Sequence, residues 1–425
     1  MIGKDLIKLL IAENQREISK IQLIDRDYEI EDELNYVFVG LRRAGKSYLM
    51  FRQIQRLLKK GHSADEILYF NFEDDRLAVL DTADLDLIKV CYEEMYEHKP
   101  FFFLDEIQIV PNWEKFARRL ADQHYRVYIT GSNAKMLSSE IATTLGGRYM
   151  IRNVYPFSFN EFLTATNINI NDKNALFHFR AEIVKNFETY FRFGGLPETI
   201  KVDNKREWLS NLYQKVFFGD LIARYQIRND FALRVLIRKL AESVRQPSSF
   251  SRLANVVSAS GKKIATDTVI DYLGYLRESW LVFPMENIVA KLADRESNKK
   301  HYFIDNGILN LFLLDPQTSL LENLVAIQLR RLYGDELYFY NNGVEVDFYL
   351  PEQQMAVQAC YNLTDINTYN REVNGLLQLS KRLEVRKMLI ITKDEERVIS
   401  ENGMEIEIVP IWKWLLHTNN APRTK

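Results

Sequence analysis

Gly40-Leu41-Arg42-Arg43-Ala44-Gly45-Lys46-Ser47 is the stretch on which the reading of the chain turns. An apolar run at 35–39 (N-Y-V-F-V) enters it, and Tyr48-Leu49-Met50-Phe51 leaves it in a helix-compatible sequence. The order is strand, glycine loop, helix, and the spacing is G-x-x-x-x-G-K-[ST]. Gly40 and Gly45 allow the loop, with Arg43 on it, to turn backbone N–H groups inward as an anion nest. The helix N-terminus behind it adds partial positive charge. In that setting Lys46 reaches the β- and γ-phosphates of a nucleotide, and the Ser47 hydroxyl takes Mg²⁺. A plain glycine turn between a strand and a helix is the simpler alternative, and the flanks favour the phosphate site.

The next segments supply what such a loop requires. Residues 66–72 (E-I-L-Y-F-N-F) predict a buried strand, and 85–97 a helix. Phe101-Phe102-Phe103-Leu104 then runs into Asp105-Glu106, about sixty residues after the loop, room for two crossover units. Asp105 is placed to hold Mg²⁺ directly or through water, and Glu106 to polarise the attacking water as general base. A solvated strand end is the bland reading of the same pair. A further apolar strand, 125–130, ends in Gly131-Ser132-Asn133. Either Ser132 or Asn133 suits a γ-phosphate sensor, and an N-cap before Ala134-Lys135-Met136-Leu137 fits equally. Arg148, behind Gly146-Gly147, is a candidate for phosphate in its own subunit or a neighbour's, with a structural ion pair as the alternative. Ser158 and Glu161 then predict a capping box at the start of a helix.

Composition sets the frame. A chain of 425 residues implies two or three domains, and 47% hydrophobic with 27% charged residues is globular usage. No run approaches the ~18 apolar residues of a membrane span, and the N-terminus lacks a signal-peptide core. Cys91 and Cys360 stand too far apart for a disulfide framework or a cysteine zinc site, and the six histidines show no ligand spacing. The expectation is a cytoplasmic protein with no membrane partner. A net charge of −2 means that any nucleic-acid contact must come from a local patch.

G-L-R-R-A-G-K-S, F-L-D-E-I-Q at 103–108, I-T-G-S-N-A at 129–134, L-G-G-R-Y at 145–149, Y-P-F-S-F-N-E-F at 155–162 and F-G-G-L-P-E at 193–198 together resemble one prokaryotic ATPase family. Its members are similar to AAA-plus ATPases and carry a C-terminal domain of unknown function. The resemblance runs from about residue 15 to about 415. It implies an α/β fold with a P-loop NTPase parallel-sheet domain, a winged helix, and a fold similar to PD-(D/E)xK, restriction-endonuclease-like nucleases. The expected divisions are 1–160 for the ATPase domain, 161–245 for a helical lid, 246–312 for the winged-helix segment and 313–425 for the nuclease-like domain.

In the middle, Phe187, Tyr190, Phe191 and Phe193 fit the core of a helical lid better than a base-stacking platform. Asp220 and Arg224 fit a surface pair. Helices at 251–258 and 267–279, with Thr266 as N-cap, precede strands at 281–284 and 301–304, a winged-helix order whose second helix is a candidate for a DNA major groove. Residues 245–300 hold nine Lys or Arg against six Asp or Glu, modest support for phosphate contacts, while Asp267 and Asp271 on the second helix oppose them.

In the C-terminal third, 338–340 and 344–350 predict a hairpin around Asn341-Asn342-Gly343, with 355–360 as a further strand. A PD-(D/E)xK site requires a helix Glu, a strand Asp, and Glu-x-Lys on the next strand, the carboxylates holding a divalent metal. Glu322 and Asp347 fit the first two places. The next strand reads Gln358-Ala359-Cys360, which lacks both carboxylate and lysine, so cleavage is not expected. A strand at 387–392 and Trp412 and Trp414, in core or a docking helix, complete the layer. The expectation is therefore an ATPase using ATP and Mg²⁺, with Lys46, Glu106 and Arg148 acting on charge and water, and self-association if Arg148 works between subunits. An ATP-gated DNA-binding switch with slow turnover, and an ATP-regulated metal-dependent nuclease, are the alternatives.

Overall fold

The computed structural model describes residues 2–418 apart from Ser19, Ala134, Lys135, Leu137, Ser138, 169–177, Lys262 and Asn402. Ala134, Lys135, Leu137 and Lys262, which the turn and cap expectations touched, therefore lie outside the described residues. The chain divides into two compact units, one of residues 1–155 with 278–280, the other of 156–277 with 281–425.

The first unit is a five-stranded parallel sheet: β1 (Asn35–Val39), β2 (Ile67–Asn71), β3 (Phe101–Asp105), β4 (Arg126–Gly131) and β5 (Tyr149–Asn153), in the order β2-β3-β4-β1-β5. α1 (Lys4–Ile18) precedes the sheet, and the crossovers run through α2 (Lys46–Lys59), α3 (Asp84–Met95), α4 (Trp113–Asp122) and α5 (Ser139–Leu145). Helices on both faces explain why the strands are continuously apolar. Val37, Val39, Leu68, Phe70, Phe102, Leu104, Val127 and Ile129 enter one core. Their alternates Tyr36, Phe38, Phe103 and Tyr128 stack on one another on the opposite face, with Phe103 and Tyr128 at 4.6 Å. β5 is the strand the sequence did not announce. It is an edge strand with three of five side chains exposed, so its apolar signal is weak.

The second unit is organised on a nine-stranded mixed sheet. Its strands are β6 (Ser248–Ser249), β7 (Val282–Asn287), β8 (Asn298–Phe303), β9 (Tyr338–Asn341), β10 (Glu345–Leu350), β11 (Met355–Ala359), β12 (Lys387–Thr392), β13 (Arg397–Glu401) and β14 (Met404–Pro410). Their order is β13-β14-β12-β11-β10-β9-β7-β8-β6. The pair expected as the ribbon of a separate segment, β7 and β8, is continuous with the C-terminal strands through the parallel β7–β9 pairing. Helix Gln317–Tyr333 is buried on nearly every face between Ser319 and Leu329, as a helix enclosed by protein must be. Trp412 and Trp414 are buried on the closing helix Ile411–Thr418. Ser158 and Glu161 form the expected capping box at α6 (Phe159–Ala165).

Asp220 corrects an expectation. It is buried, its carboxylate 2.9 Å from the Arg224 guanidinium, on a π-helical stretch, Val216–Ala223, rather than on the surface. The helical register there shifts by one residue and turns Asp220 inward.

Phe193-Gly194-Gly195-Leu196-Pro197 is more than a turn. Asp305 accepts from the Gly195 N–H at 2.8 Å through one oxygen and from Gly307 and Ile308 at 2.8 and 3.3 Å through the other. A Cβ at Gly194 (φ 73°) would lie 2.1 Å from that carboxylate, so glycine is required by both space and backbone. Asp305→Asn, which turns one acceptor into a donor facing an N–H, is expected to cost about 1–3 kcal/mol. A lowered unfolding transition in thermal or denaturant melts checks it.

Candidate functional site

The loop of residues 40–47 leaves the carboxyl end of β1, where strand order reverses between β4 on one side and β5 on the other, the place where open α/β sheets bind ligands. Arg43 (φ 61°) and Gly45 (φ 97°) adopt left-handed backbone, which curls the loop into a concave nest. α2 starts at Lys46 without a side-chain cap, leaving its amino end to an anion. Arg26, buried in a polar stretch that gave no motif, donates to the Ala44 carbonyl and to the Tyr155 carbonyl, both at 2.8 Å. It ties the loop to the chain beyond β5. A lone arginine between two elements has no pattern by which a sequence could reveal it.

Lys46 is buried; its ammonium lies 3.2 Å from Glu106 Oε1 and 3.3 Å from the Leu41 carbonyl. The Ser47 hydroxyl donates to Asp105 Oδ1 at 3.0 Å. Asp105 also accepts from Tyr69 at 2.7 Å and from Thr130, whose hydroxyl in turn receives the Glu106 N–H at 2.9 Å. Burial, then the charge of Glu106, raises the Asp105 pKa. Burial works in the same direction on Glu106, but Lys46, Gln108 and Arg42 outweigh it and hold that carboxyl at about 2. Glu106 itself has left-handed backbone (φ 55°, ψ 36°), strain of a kind concentrated at functional sites. Its side chain accepts from Gln108 Nε2 at 2.6 Å and from the Ser132 N–H at 3.1 Å.

The structure thus gathers Gly40, Arg43, Gly45, Lys46, Ser47, Asp105, Glu106 and Ser132 at one end of the sheet. Asn133, also buried, follows Ser132. Ser132 is the residue of the two with a contact to Glu106 through its backbone. Arg148 does not join them. It precedes β5 beside the start of β1, with the Asn35 side chain donating to its carbonyl at 3.3 Å, so it lies at the opposite end of the sheet from its own loop. There it pairs with Asp122 and donates to the Gly146 carbonyl. Gln108 stands in the sequence only as the last residue of F-L-D-E-I-Q, and its contact to Glu106 comes from the fold.

In the second unit, Glu322, Asp347 and Gln358 do come together, around a residue that sequence reasoning missed. Lys300, with no exposed side-chain area, lies 3.2 Å from Glu322, 3.1 Å from Glu345 and 3.3 Å from Asp347. Burial acts to strip its proton, and the three carboxylates outweigh burial and keep it charged. Burial and the charge of Asp347 push Glu322 up to about 8, against the pull of Lys300 and Tyr302. Gln358 is engaged by backbone: its Oε1 accepts from Asp347 N at 2.9 Å and its Nε2 donates to the Glu345 carbonyl at 3.1 Å. A cavity of about 510 Å³ opens beside them, bordered by Arg245, Glu345, Asp347 and Glu372. Among the described residues no three His, Cys, Asp or Glu side chains are arranged to hold a metal ion.

Similarity to known proteins agrees with the first unit's geometry. An AAA-domain family model matches residues 32–163, and a domain of unknown function, DUF8612, matches 184–319. Uncharacterized protein MJ1544 of Methanocaldococcus jannaschii is 34% identical over 432 residues, covering 97% of this chain and 96% of that one. The chain belongs to the family of that archaeal protein. A Haemophilus influenzae member is 29% identical over 392 residues, covering 89% and 94% of the two chains. Among solved structures, the Walker-type ATPase PABY2304 of Pyrococcus abyssi aligns at 13% identity with a TM-score of 0.39, over 73% of this chain and 96% of that one. In this chain the AAA-domain match falls on the parallel-sheet unit and is followed by a second, mixed-sheet unit. No described helix is long and apolar enough to cross a membrane.

Proposed function

We propose that the protein binds ATP with Mg²⁺ at the loop of residues 40–47 and hydrolyses it, turnover driving a change of conformation. The observation that carries this reading is the convergence of Lys46, Ser47, Asp105 and Glu106, with Lys46–Glu106 at 3.2 Å and Ser47–Asp105 at 3.0 Å. Ser47 Oγ and Asp105 are adjacent oxygen donors, the hard set Mg²⁺ prefers, and they would hold the ion. When bound, Mg²⁺ neutralises charge on the β- and γ-phosphates. Lys46 meets the same phosphates from the nest. Glu106, kept ionised by its neighbours, takes the proton of the attacking water. Arg26 fixes the loop that holds the phosphates.

Cleavage of nucleic acid by the second unit is not part of this reading. The Lys300 ammonium lies where Glu322, Glu345 and Asp347 converge, and Gln358 is committed to backbone groups. Coupling of turnover to nucleic acid is a further arm of the same assay. In steady-state hydrolysis with Mg²⁺, the protein is expected to turn over ATP while Lys46→Ala loses at least tenfold in kcat/KM, with duplex DNA added in a parallel series. Equal rates for the two proteins would sink the ATPase reading.

A further inference from the structure

Among the described residues Glu106 is held by the Lys46 ammonium, the Ser132 N–H and one further holder, a side-chain amide. That holder is Gln108, two residues on, in the 3₁₀ turn Ile107–Ile109. Its Nε2 donates to Glu106 Oε2 at 2.6 Å and lies 3.5 Å from Ser132 Oγ. The amide cannot be turned round, since its oxygen would then face a carboxylate. The consequence is an Oε1 buried without a hydrogen-bond partner among the described residues. An orphaned buried acceptor is destabilising, a cost native structures carry mainly where function requires it. The end of β4 makes room for this amide and for Met136: a Cβ at Gly131 would stand 1.8 Å from Met136 Sδ and 2.7 Å from Gln108 Oε1. Lys46 and Arg42 face the same carboxylate, and Asp105 and Tyr69 lie beside it.

Glu106 is also paired with Lys46. Phosphates in the nest compete for that ammonium. Once Lys46 turns to them, Glu106 loses its one direct ion pair and is free to swing unless something else retains it. The Gln108 N–H and the Ser132 N–H share the other carboxylate oxygen, so they hold Glu106 whether or not Lys46 is engaged.

We propose that Gln108 is a positioning residue for hydrolysis, its amide holding the Glu106 carboxylate toward the phosphate site after nucleotide has drawn Lys46 away. This inference rests on the ATPase reading and is tested beside it. Gln108→Met keeps the side chain's length and bulk and removes the donor; Gln108→Glu keeps its shape and replaces the donor with a second carboxylate. Steady-state ATP hydrolysis is measured for wild type, both variants and Lys46→Ala, together with equilibrium binding of a fluorescent ATP analogue. Positioning predicts a kcat lower by about 10- to 100-fold in both variants, with KM and analogue affinity within about threefold of wild type. A Gln108→Met protein with wild-type kcat overturns the proposal, because filling space would then be the residue's whole role. So does a loss of analogue affinity that matches the loss of rate. If wild type does not exceed Lys46→Ala, the ATPase reading fails and the proposal falls with it. If wild type turns over and only the Gln108 variants are unchanged, the proposal alone fails.

Discussion

Glu106→Gln is expected to retain ATP and to lose its turnover. The substitution keeps the side chain's shape and its place beside Gln108 and the Ser132 N–H but removes the basic oxygen pair. General-base contributions of this kind are worth about 10²–10⁴ in rate, so kcat should fall by roughly that factor. Affinity should move the other way. Lys46 is buried and pairs with Glu106 at 3.2 Å. Phosphate must displace that partner in wild type, and in the variant the ammonium has no carboxylate to give up. The same change leaves a buried cation without its counter-charge, which costs up to about 3–5 kcal/mol when nothing replaces the partner. The nucleotide-free variant should therefore melt lower than wild type, and ATP should restore more of that loss than it adds to wild type. Steady-state rates, a binding isotherm and melts with and without ATP read the three effects separately. A kcat within threefold of wild type would remove Glu106 from the chemistry.

The distance between what the residues announced and what the fold holds has a physical pattern. The phosphate loop and Asp105-Glu106 were legible because each follows a strand buried on both faces, which writes an unbroken apolar run into the chain, and because the functional residues sit at fixed offsets from its end. β5 was not legible, since an edge strand with exposed side chains carries no such run. Arg26 and Lys300 share a different obstacle. Their partners lie 18 and 129 residues away in one case and 22, 45 and 47 residues away in the other. No local spacing encodes such pairings. Asp220 with Arg224 looked like a surface pair because an i, i+4 ion pair is written identically whether the helix face is wet or dry; the π-helical register decides it. In the second unit the search for a lysine two residues after Gln358 failed because the cation comes from β8, across the sheet from β11. Motif logic looks along one strand, whereas electrostatics requires only that a positive group be near.

Lys300→Met should be among the most destabilising single changes in the second unit. Methionine matches the lysine stem in length, so packing changes little and the loss is electrostatic. In wild type one ammonium serves Glu322, Glu345 and Asp347, the first fully enclosed beside Tyr302, which donates to it at 2.8 Å. Without the cation the enclosed Glu322 faces Asp347, at the edge of the cavity, with no counter-charge, and breaking such a cluster costs about 3–5 kcal/mol. The cost should depend on pH with a definite sign. Glu322 already sits at about 8 when folded, against 4.5 for a free carboxyl. Between those values the folded chain keeps a proton that the unfolded chain has released, so stability falls as pH rises through the window. Removing Lys300 takes away the charge that pulls Glu322 down, which raises that carboxyl further and steepens the fall. Melts at pH 5 and pH 8 should show a larger deficit for Lys300→Met at the higher pH, where protonation no longer relieves the stranded carboxylates. Adding Glu322→Gln should recover part of the loss at pH 8 and little at pH 5, because a neutral amide takes the place of the charge that burial penalises most. A Lys300→Met protein that melts like wild type at both pH values would show that the three carboxylates are solvated without the lysine. The cluster would then be an open polar pocket rather than a buried ion network.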